Sequence, residues 1–318
     1  MTAQGVVPLA EIVRSGFTEG WHDGRLVALG ADGTVEFAYG DVAEVMMPRS
    51  SNKPMQAVAM LEHGLDLTGE LLALAAASHA GEPFHLEGVR KILAGAGLSE
   101  EDLACPPDWP LAEEAKLALV RAGGTRRRIT MNCSGKHAAM LATCVHNGWS
   151  TADYLAPEHP LQRAARDAVA RLSGEPVRAE AIDGCGAPLF GISLTGLARA
   201  FRAAVLAAPS SPERRVADAM RAHPDYVSGT DRLDTDLMAG IPGLLAKGGA
   251  EGVQAVALAD GRAVALKLGD GDHERRAVGP VLVAALRRLG VQDEVLARYA
   301  ETPLLGGGVP VGAIRSAI

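Results

Sequence analysis

An α+β fold follows from three features of the chain: a hairpin signal near each end, a series of helical periodicities between them, and no sustained strand–helix alternation of the doubly wound kind. The first hairpin signal is a pair of short apolar runs, 25–29 and 35–39, joined through Ala31-Asp32-Gly33. The second pairs 253–258 with 263–268 around Asp260-Gly261. Two such hairpins predict one shared antiparallel sheet that brings the ends of the chain together. The apolar spacing between them predicts helices over 53–63, 69–77, 85–94, 112–121, 137–147, 161–172, 194–207 and 213–222. Residues 274–289 read as a helix closing over the sheet and 292–299 as a short one after it. Gly306-Gly307-Gly308 and the tail beyond read as mobile surface chain. With no internal repeat, residues 1–318 are expected to form a single domain, its sheet made by the N- and C-terminal segments around a largely helical middle.

Composition narrows the function classes. The 318 residues are 48% hydrophobic but only 4% aromatic, enough for a large aliphatic core and too few rings for stacking on nucleobases. A formal net charge of −7 supplies no field for nucleic acid or an anionic membrane. The one dense basic run, Arg126-Arg127-Arg128, reads as a solvated turn. The first eight residues lack the basic segment and apolar run of a signal peptide, and the helices carry charges too often to span a bilayer, so a cytoplasmic protein is expected. Cys105, Cys133, Cys144 and Cys185 lack the spacing of a small secreted framework and are expected as free thiols.

The chemistry-bearing segments are short and ordered. Arg49-Ser50-Ser51-Asn52-Lys53-Pro54 sets Ser50 three residues ahead of Lys53 at the mouth of a helix, where both share a face. A lysine serves as a base only when desolvated, and the apolar flanks of this segment predict that Lys53 is buried. Ala77-Ser78-His79-Ala80-Gly81-Glu82 interrupts an apolar helix with groups able to hold protons, so a helix-ending turn can present Ser78 inward. Asn132-Cys133-Ser134-Gly135-Lys136-His137 follows an expected strand, 128–131, and opens a helix whose free N–H groups can face an anion or a developing oxyanion. Cys133 can also meet Cys185 of Asp183-Gly184-Cys185-Gly186 in a two-thiolate site completed by His137, Lys136, Asp183 or water; two buried free cysteines explain the same residues. Arg232, among the short polar residues of 229–236, can clamp a carboxylate, or that loop can simply cap the helix after it. Lys247-Gly248-Gly249 places a lysine beside glycines on a strand, and His22 stands near Glu19 and Gly24 where it can orient a substrate.

Ser-x-x-Lys opening a helix, with a later lysine–glycine strand, resembles the serine β-lactamase and penicillin-binding protein superfamily. Here Gly248 replaces the hydroxyl residue of Lys-Thr/Ser-Gly and no S-x-N element occupies the middle of the chain, which argues against β-lactam chemistry itself. A fuller resemblance, over nearly the whole chain, is to the thermolabile bacterial L-asparaginase II family of the rhizobial inducible type. It is carried in order by 11–24, 48–54, 77–82, 132–137, 183–185, 229–235 and 247–252. The resemblance implies a serine β-lactamase-like fold, with an antiparallel sheet packed with helices and a helical region, and hydrolysis of L-asparagine to L-aspartate and ammonia by a homodimer. It implies two serine–lysine pairs, Ser50 with Lys53 and Ser78 with Lys247, and a zinc ion held by Cys133, Lys136 and Cys185 with Asp183 close by. Arg49, His22, His79, Glu82, Asn132 and Arg232 are the candidates for holding the substrate. Gly20 stands where the family's opening carries serine, and Asp231 where glycine is usual. A glutaminase or other small-amide hydrolase is the nearest alternative, and a non-catalytic amino-acid or metal-binding protein the more distant one.

Overall fold

The two hairpins anticipated from the sequence lie in one antiparallel sheet. The computed structural model describes residues 5–318, and its contacts separate two units: one runs to Ser51 and adds 192–206 and 236–318, and the other comprises 52–191 and 207–235.

Eight strands of the first unit form one sheet: β1 (Val7–Arg14), β2 (Phe17–Leu29), β3 (Val35–Tyr39), β4 (Leu245–Gly249), β5 (Val253–Ala257), β6 (Ala263–Leu268), β7 (Glu301–Gly306) and β8 (Val309–Ser316). Their order is β7-β8-β1-β2-β6-β5-β4, with β3 added on β2. The hairpins join where β2 meets β6, from Gly24 opposite Leu268 to Leu29 opposite Ala263. Strand β5 is buried at every position, apolar at Val253, Ala255, Val256 and Ala257 and polar at Gln254. The helices Leu194–Leu206 and Val278–Arg288 pack on this sheet.

Three expectations fail here for local reasons. The tail is no loose chain: Gly307 and Gly308, both at positive φ (59° and 84°), make the two-residue turn of the β7–β8 hairpin, and β8 then pairs with β1. The helix expected from 274 begins at Val278, because the Asp272 carboxylate accepts from Ala277 N and Val278 N and Arg275 is left-handed at φ 56°. Residues 128–131 form a turn, not a strand. Strand pairing stops at a single bridge between Arg127 and Asp108, after which the chain turns, with Met131 N donating back to Arg128 O at 3.2 Å and the Thr130 hydroxyl lying 2.6 Å from Asp108 O.

The second unit is mainly helical: Lys53–Glu62, Gly69–Ala75, Pro83–Gly95, Glu113–Arg121, Ser134–Asn147, Pro160–Ser173 and Pro212–Ala222. Lys53–Glu62 is buried from Lys53 through Leu61 and packs against Pro160–Ser173 and Pro212–Ala222. Its Met55, Val58, Met60 and Leu61 each contribute about 1.5–3 kcal/mol of burial, which holds the one lysine of that helix in an apolar setting. The helix Ser134–Asn147 approaches the end of Gly69–Ala75 so closely that a Cβ on Gly135 would stand 2.6 Å from Leu74 O. Only glycine permits that approach, and it brings 133–137 against the turn that carries Ser78. A short hairpin, Ala179–Ile182 paired with 188–191, presents Asp183 and Cys185 at its turn.

Candidate active site

In the helical unit, Lys53 is 1% exposed, and its Nζ donates to Ala77 O at 2.5 Å, Ser78 Oγ at 2.9 Å and Cys133 Sγ at 3.0 Å. Three acceptors from three separate residues thus surround one amino group. Ser78 reaches this position because Gly69–Ala75 ends just before it, and Ser78 N is then taken by Val227 O at 2.9 Å. The turn continues inward: His79 N donates to Asn132 O at 3.0 Å, and the His79 ring is fully buried. Ser134 Oγ donates to Ile129 O at 2.7 Å, so His79 must donate from Nε2 to that oxygen at 2.8 Å, which leaves Nδ1 a buried acceptor without a partner. Burial, then the proximity of His85 and Lys53, keeps His79 neutral with a pKa well below the ordinary imidazole value.

A thiol pair lies beside the lysine. The hydrogen bond from Cys133 holds the Cys185 thiol far below its ordinary pKa, with Lys136 and His137 adding to the effect against burial, while Cys133 itself is raised by that bond and by burial. The contact therefore favours the charged form at Cys185 and the neutral form at Cys133. Lys136 Nζ donates to Cys185 Sγ at 3.2 Å and stabilises that charge. Burial pulls Lys136 down, but Cys185, Cys133 and Asp183 together outweigh it and leave its pKa above the ordinary lysine value. Asp183 Oδ2 stands 3.8 Å from Cys185 Sγ, and Asn132 Oδ1 lies 2.9 Å from Cys133 Sγ. Behind them, His137 Nδ1 and Tyr154 OH are 2.7 Å apart. Among the described residues no three His, Cys, Asp or Glu side chains form a metal-ligand set, so any metal held here needs Lys136 as well as the two thiols.

The remaining motif residues of the helical unit act as scaffold. Glu82 caps Pro83–Gly95 in a reciprocal box with His85 and accepts from Thr230 N at 3.1 Å, tying the Ser78 turn to the 229–232 loop. Arg232 stands half-buried on that loop. Asp231 has φ 55°: the backbone keeps the left-handed shape for which glycine is the usual choice, and aspartate is among the side chains that tolerate it.

In the sheet unit, Lys247 is 1% exposed on the edge strand β4, and its Nζ donates to Gly248 O at 2.7 Å. Two residues along, a Cβ on Gly249 would stand 2.7 Å from Pro48 O and 3.2 Å from Ser50 N, so the backbone bearing Ser50 rests directly on the strand. Arg49 is left-handed at φ 52° and lies 3.5 Å from Glu251 Oε1. His22, 5% exposed on β2, meets Asp270 Oδ2 through Nδ1 at 2.6 Å. Gly20 is not forced by its backbone: the nearest atom to a Cβ there is Ile12 Cδ1 at 3.6 Å, so the serine usual at that point would fit.

The motif residues thus fall into two groups. Lys53, Ser78, His79, Asn132, Cys133, Lys136, Asp183 and Cys185 converge in the helical unit, and Arg49, Ser50 and Lys247 gather around β4 in the sheet unit. Sequence reasoning expected Lys53 to serve Ser50 and had not foreseen its bonds to Ser78 and Cys133. It also passed over Asp270, Tyr154 and Arg275. Each of these lies outside any motif and becomes visible only through a partner far away in sequence.

Residues 10–316 match the L-asparaginase II family, and the chain belongs to it. The family is one of hydrolases acting on an amide. No curated protein matches the chain. Solved structures with similar chain traces include a β-lactamase from Mycobacterium bovis, 17% identical over 84% of this chain and 95% of that one, TM-score 0.49. Simvastatin synthase from Aspergillus terreus is 12% identical over 87% and 92%, TM-score 0.40. Mglu in its native form is 14% identical over 83% of this chain, TM-score 0.43, and this chain spans only 62% of its length. No helix among the described residues is long and apolar enough to cross a membrane.

Proposed function

We propose that this protein hydrolyses L-asparagine to L-aspartate and ammonia by serine–lysine chemistry. The observation that carries the reading is the 2.9 Å bond from a fully enclosed lysine, Lys53, to Ser78 Oγ, in a chain of the L-asparaginase II family. A serine hydroxyl attacks the side-chain amide carbon and passes its proton to a lysine amine. The C–N bond then breaks as that proton reaches the departing nitrogen, and water hydrolyses the resulting aspartyl ester. Holding hydroxyl and amine in register lowers the barrier through orientation, and backbone N–H groups aimed at the developing oxyanion lower it further. Ser50 with Lys53 is the attacking pair in this reading, and Lys247 serves the second serine. The Lys53–Ser78 bond favours Ser78 as a partner in the same proton relay.

Cys133, Cys185 and Lys136 would hold a zinc ion. The donor set suits that metal: two enclosed free thiols lie together, the surroundings favour the charged form of Cys185, and the Lys136 nitrogen points at it. Bound there, zinc would supply a positive centre able to hold water or substrate. Asp183 would orient what is held, and Lys136 would have to give up its proton to coordinate. The four free thiols suit the reducing interior of a cell, and a homodimer completes the proposal.

Ammonia release from asparagine and glutamine, each over a range of concentrations, tests the assignment, with S50A, S78A, K53A and K247A measured beside the parent. A larger kcat/KM for glutamine would move the protein to the small-amide alternative. Saturable asparagine binding without turnover would make it a binding protein.

A further inference from the structure

Arg275 stands in the turn between β6 and the helix Val278–Arg288 with a left-handed backbone, φ 56°, which costs a residue bearing a Cβ about 1 kcal/mol. The turn is built to keep it there. Asp272, 4% exposed, accepts from Arg276 N, Ala277 N and Val278 N through its carboxylate, and Arg275 N donates to Asp272 O at 2.7 Å. From this fixed point the guanidinium crosses to the sheet edge. Nη1 donates to Gly249 O at 2.9 Å and Nη2 to Oε1 of the fully buried Gln254 at 2.6 Å. Gln254 is the ladder partner of Gly248, and a Cβ on Gly248 would stand 2.8 Å from Nη2. The guanidinium therefore occupies the space of a side chain at 248, the position where Lys247-Gly248-Gly249 departs from Lys-Thr/Ser-Gly.

Strand alternation separates the two faces of β4. Lys247 and Gly249 look towards the side on which the Pro48–Ser50 backbone rests, and Gly248 and Gln254 look towards the other. Strand β4 is an edge strand with a ladder neighbour on one side only, so bonds from side chains such as Arg275 add to the restraint that β5 supplies. We propose that Arg275 is a positioning residue for amide hydrolysis: by holding the Gly249 carbonyl and Gln254 from the opposite face, it sets the strand that carries Lys247 and supports Ser50. This rests on the asparaginase reading, since only there do Lys247 and Ser50 have work to do. Arg275 reaches the reacting atoms through β4 alone.

The test measures steady-state asparagine hydrolysis and thermal unfolding for Arg275→Ala, Arg275→Lys, Gly248→Ser and the G248S/R275A double variant. Arg275→Ala is expected to lower kcat about 10- to 100-fold with KM within about threefold, as a displacement of under an ångström at a catalytic group would. Millimolar ethylguanidinium should restore at least a tenth of the parent kcat. Arg275→Lys should remain as slow as Arg275→Ala, because an ammonium lacks the planar fork that spans both acceptors. Gly248→Ser displaces the guanidinium and should match Arg275→Ala alone, and the double variant should be no slower than either single one. Parent-like kcat in Arg275→Lys, or full additivity in the double variant, would overturn the positioning role. So would a loss in Arg275→Ala that tracks a lowered Tm and resists ethylguanidinium. A parent protein that releases no ammonia refutes the asparaginase reading and this inference with it; an active parent with indifferent variants refutes this inference alone.

Discussion

Replacing Gly249 with alanine tests whether the backbone that bears Ser50 must sit where the structure places it. The added Cβ would stand 2.7 Å from Pro48 O, 3.2 Å from Arg49 Cβ and 3.2 Å from Ser50 N. Ordinary contact begins at about 3.5 Å, so relieving the closest clash needs a displacement of about 0.8 Å. Two of the three atoms are main chain, and no rotamer change absorbs the strain. The segment that must move is the one bearing the proposed nucleophile, because β4 is restrained by its ladder to β5. Overpacking of this kind costs about 1–3 kcal/mol of stability. A shift approaching 1 Å at a reacting group costs up to about a hundredfold in rate. We therefore expect Gly249→Ala to lower kcat/KM for asparagine by about 10- to 100-fold, while the protein remains folded and melts several degrees lower. Ammonia release under substrate saturation, read beside a melting curve, gives both numbers. Parent-like turnover in a variant whose Tm has fallen would show that Ser50 can shift without consequence, and would remove it as the nucleophile.

Three further outcomes are expected. His79 is buried neutral with a pKa held below that of the unfolded chain, near 6.5. The unfolded state then binds the extra proton first, so stability is complete above about pH 6.5 and falls with acid by up to about 1.4 kcal/mol per pH unit until the folded pKa is reached. His79→Gln keeps an N–H towards Ser134 and should flatten that part of the urea-unfolding profile by one proton; an unchanged slope would refute the assignment. Gly95→Ala, at the end of Pro83–Gly95 with no atom within 4 Å of the new Cβ and no positive φ, should stabilise by about 0.5–1 kcal/mol; a fall in the urea midpoint would contradict it. Cys185→Ser should abolish zinc retention measured by elemental analysis after dialysis, while Cys144→Ser should retain it, since Cys144 lies outside the thiol pair and burial raises its pKa to about 11. Equal zinc content in both would remove the metal proposal.

The helices of the middle segment were legible because their apolar spacing was uninterrupted: 53–63 was expected and Lys53–Glu62 is observed, and 161–172 was expected within the observed Pro160–Ser173. The two hairpins were legible because short apolar runs met at Asp-Gly turns, Asp32-Gly33 and Asp260-Gly261. The C-terminal hairpin was not, because Gly306-Gly307-Gly308 has the composition of loose chain, and only the pairing of β8 with β1 makes it a turn. The strand expected at 128–131 failed because pairing ends at the single Arg127–Asp108 bridge and the backbone then closes on itself, Met131 N to Arg128 O. Among the candidate site residues, Ser50, Lys53, Ser78, Cys133, Lys136, Cys185 and Lys247 could be named from short motifs, and the two lysines proposed as bases, Lys53 and Lys247, are both enclosed. Arg275 could not be named, because nothing near it in sequence marks it as different from other arginines.

What the amino-acid order determined alone was the inventory: an α+β chain of the asparaginase II type, free thiols, and serines and lysines in motifs with the right chemistry. Which amine meets which hydroxyl was decided only by the tertiary structure. The geometry that matters, Lys53 on Ser78 and Cys133, Cys133 on Cys185, and Arg275 on Gly249, joins residues 25 to 80 positions apart. Local periodicity reports how a segment turns and which face it buries. The distance between two side chains on separate segments depends instead on how closely their backbones can pack, and here that was set by glycines at 135 and 249 that leave no room for another atom.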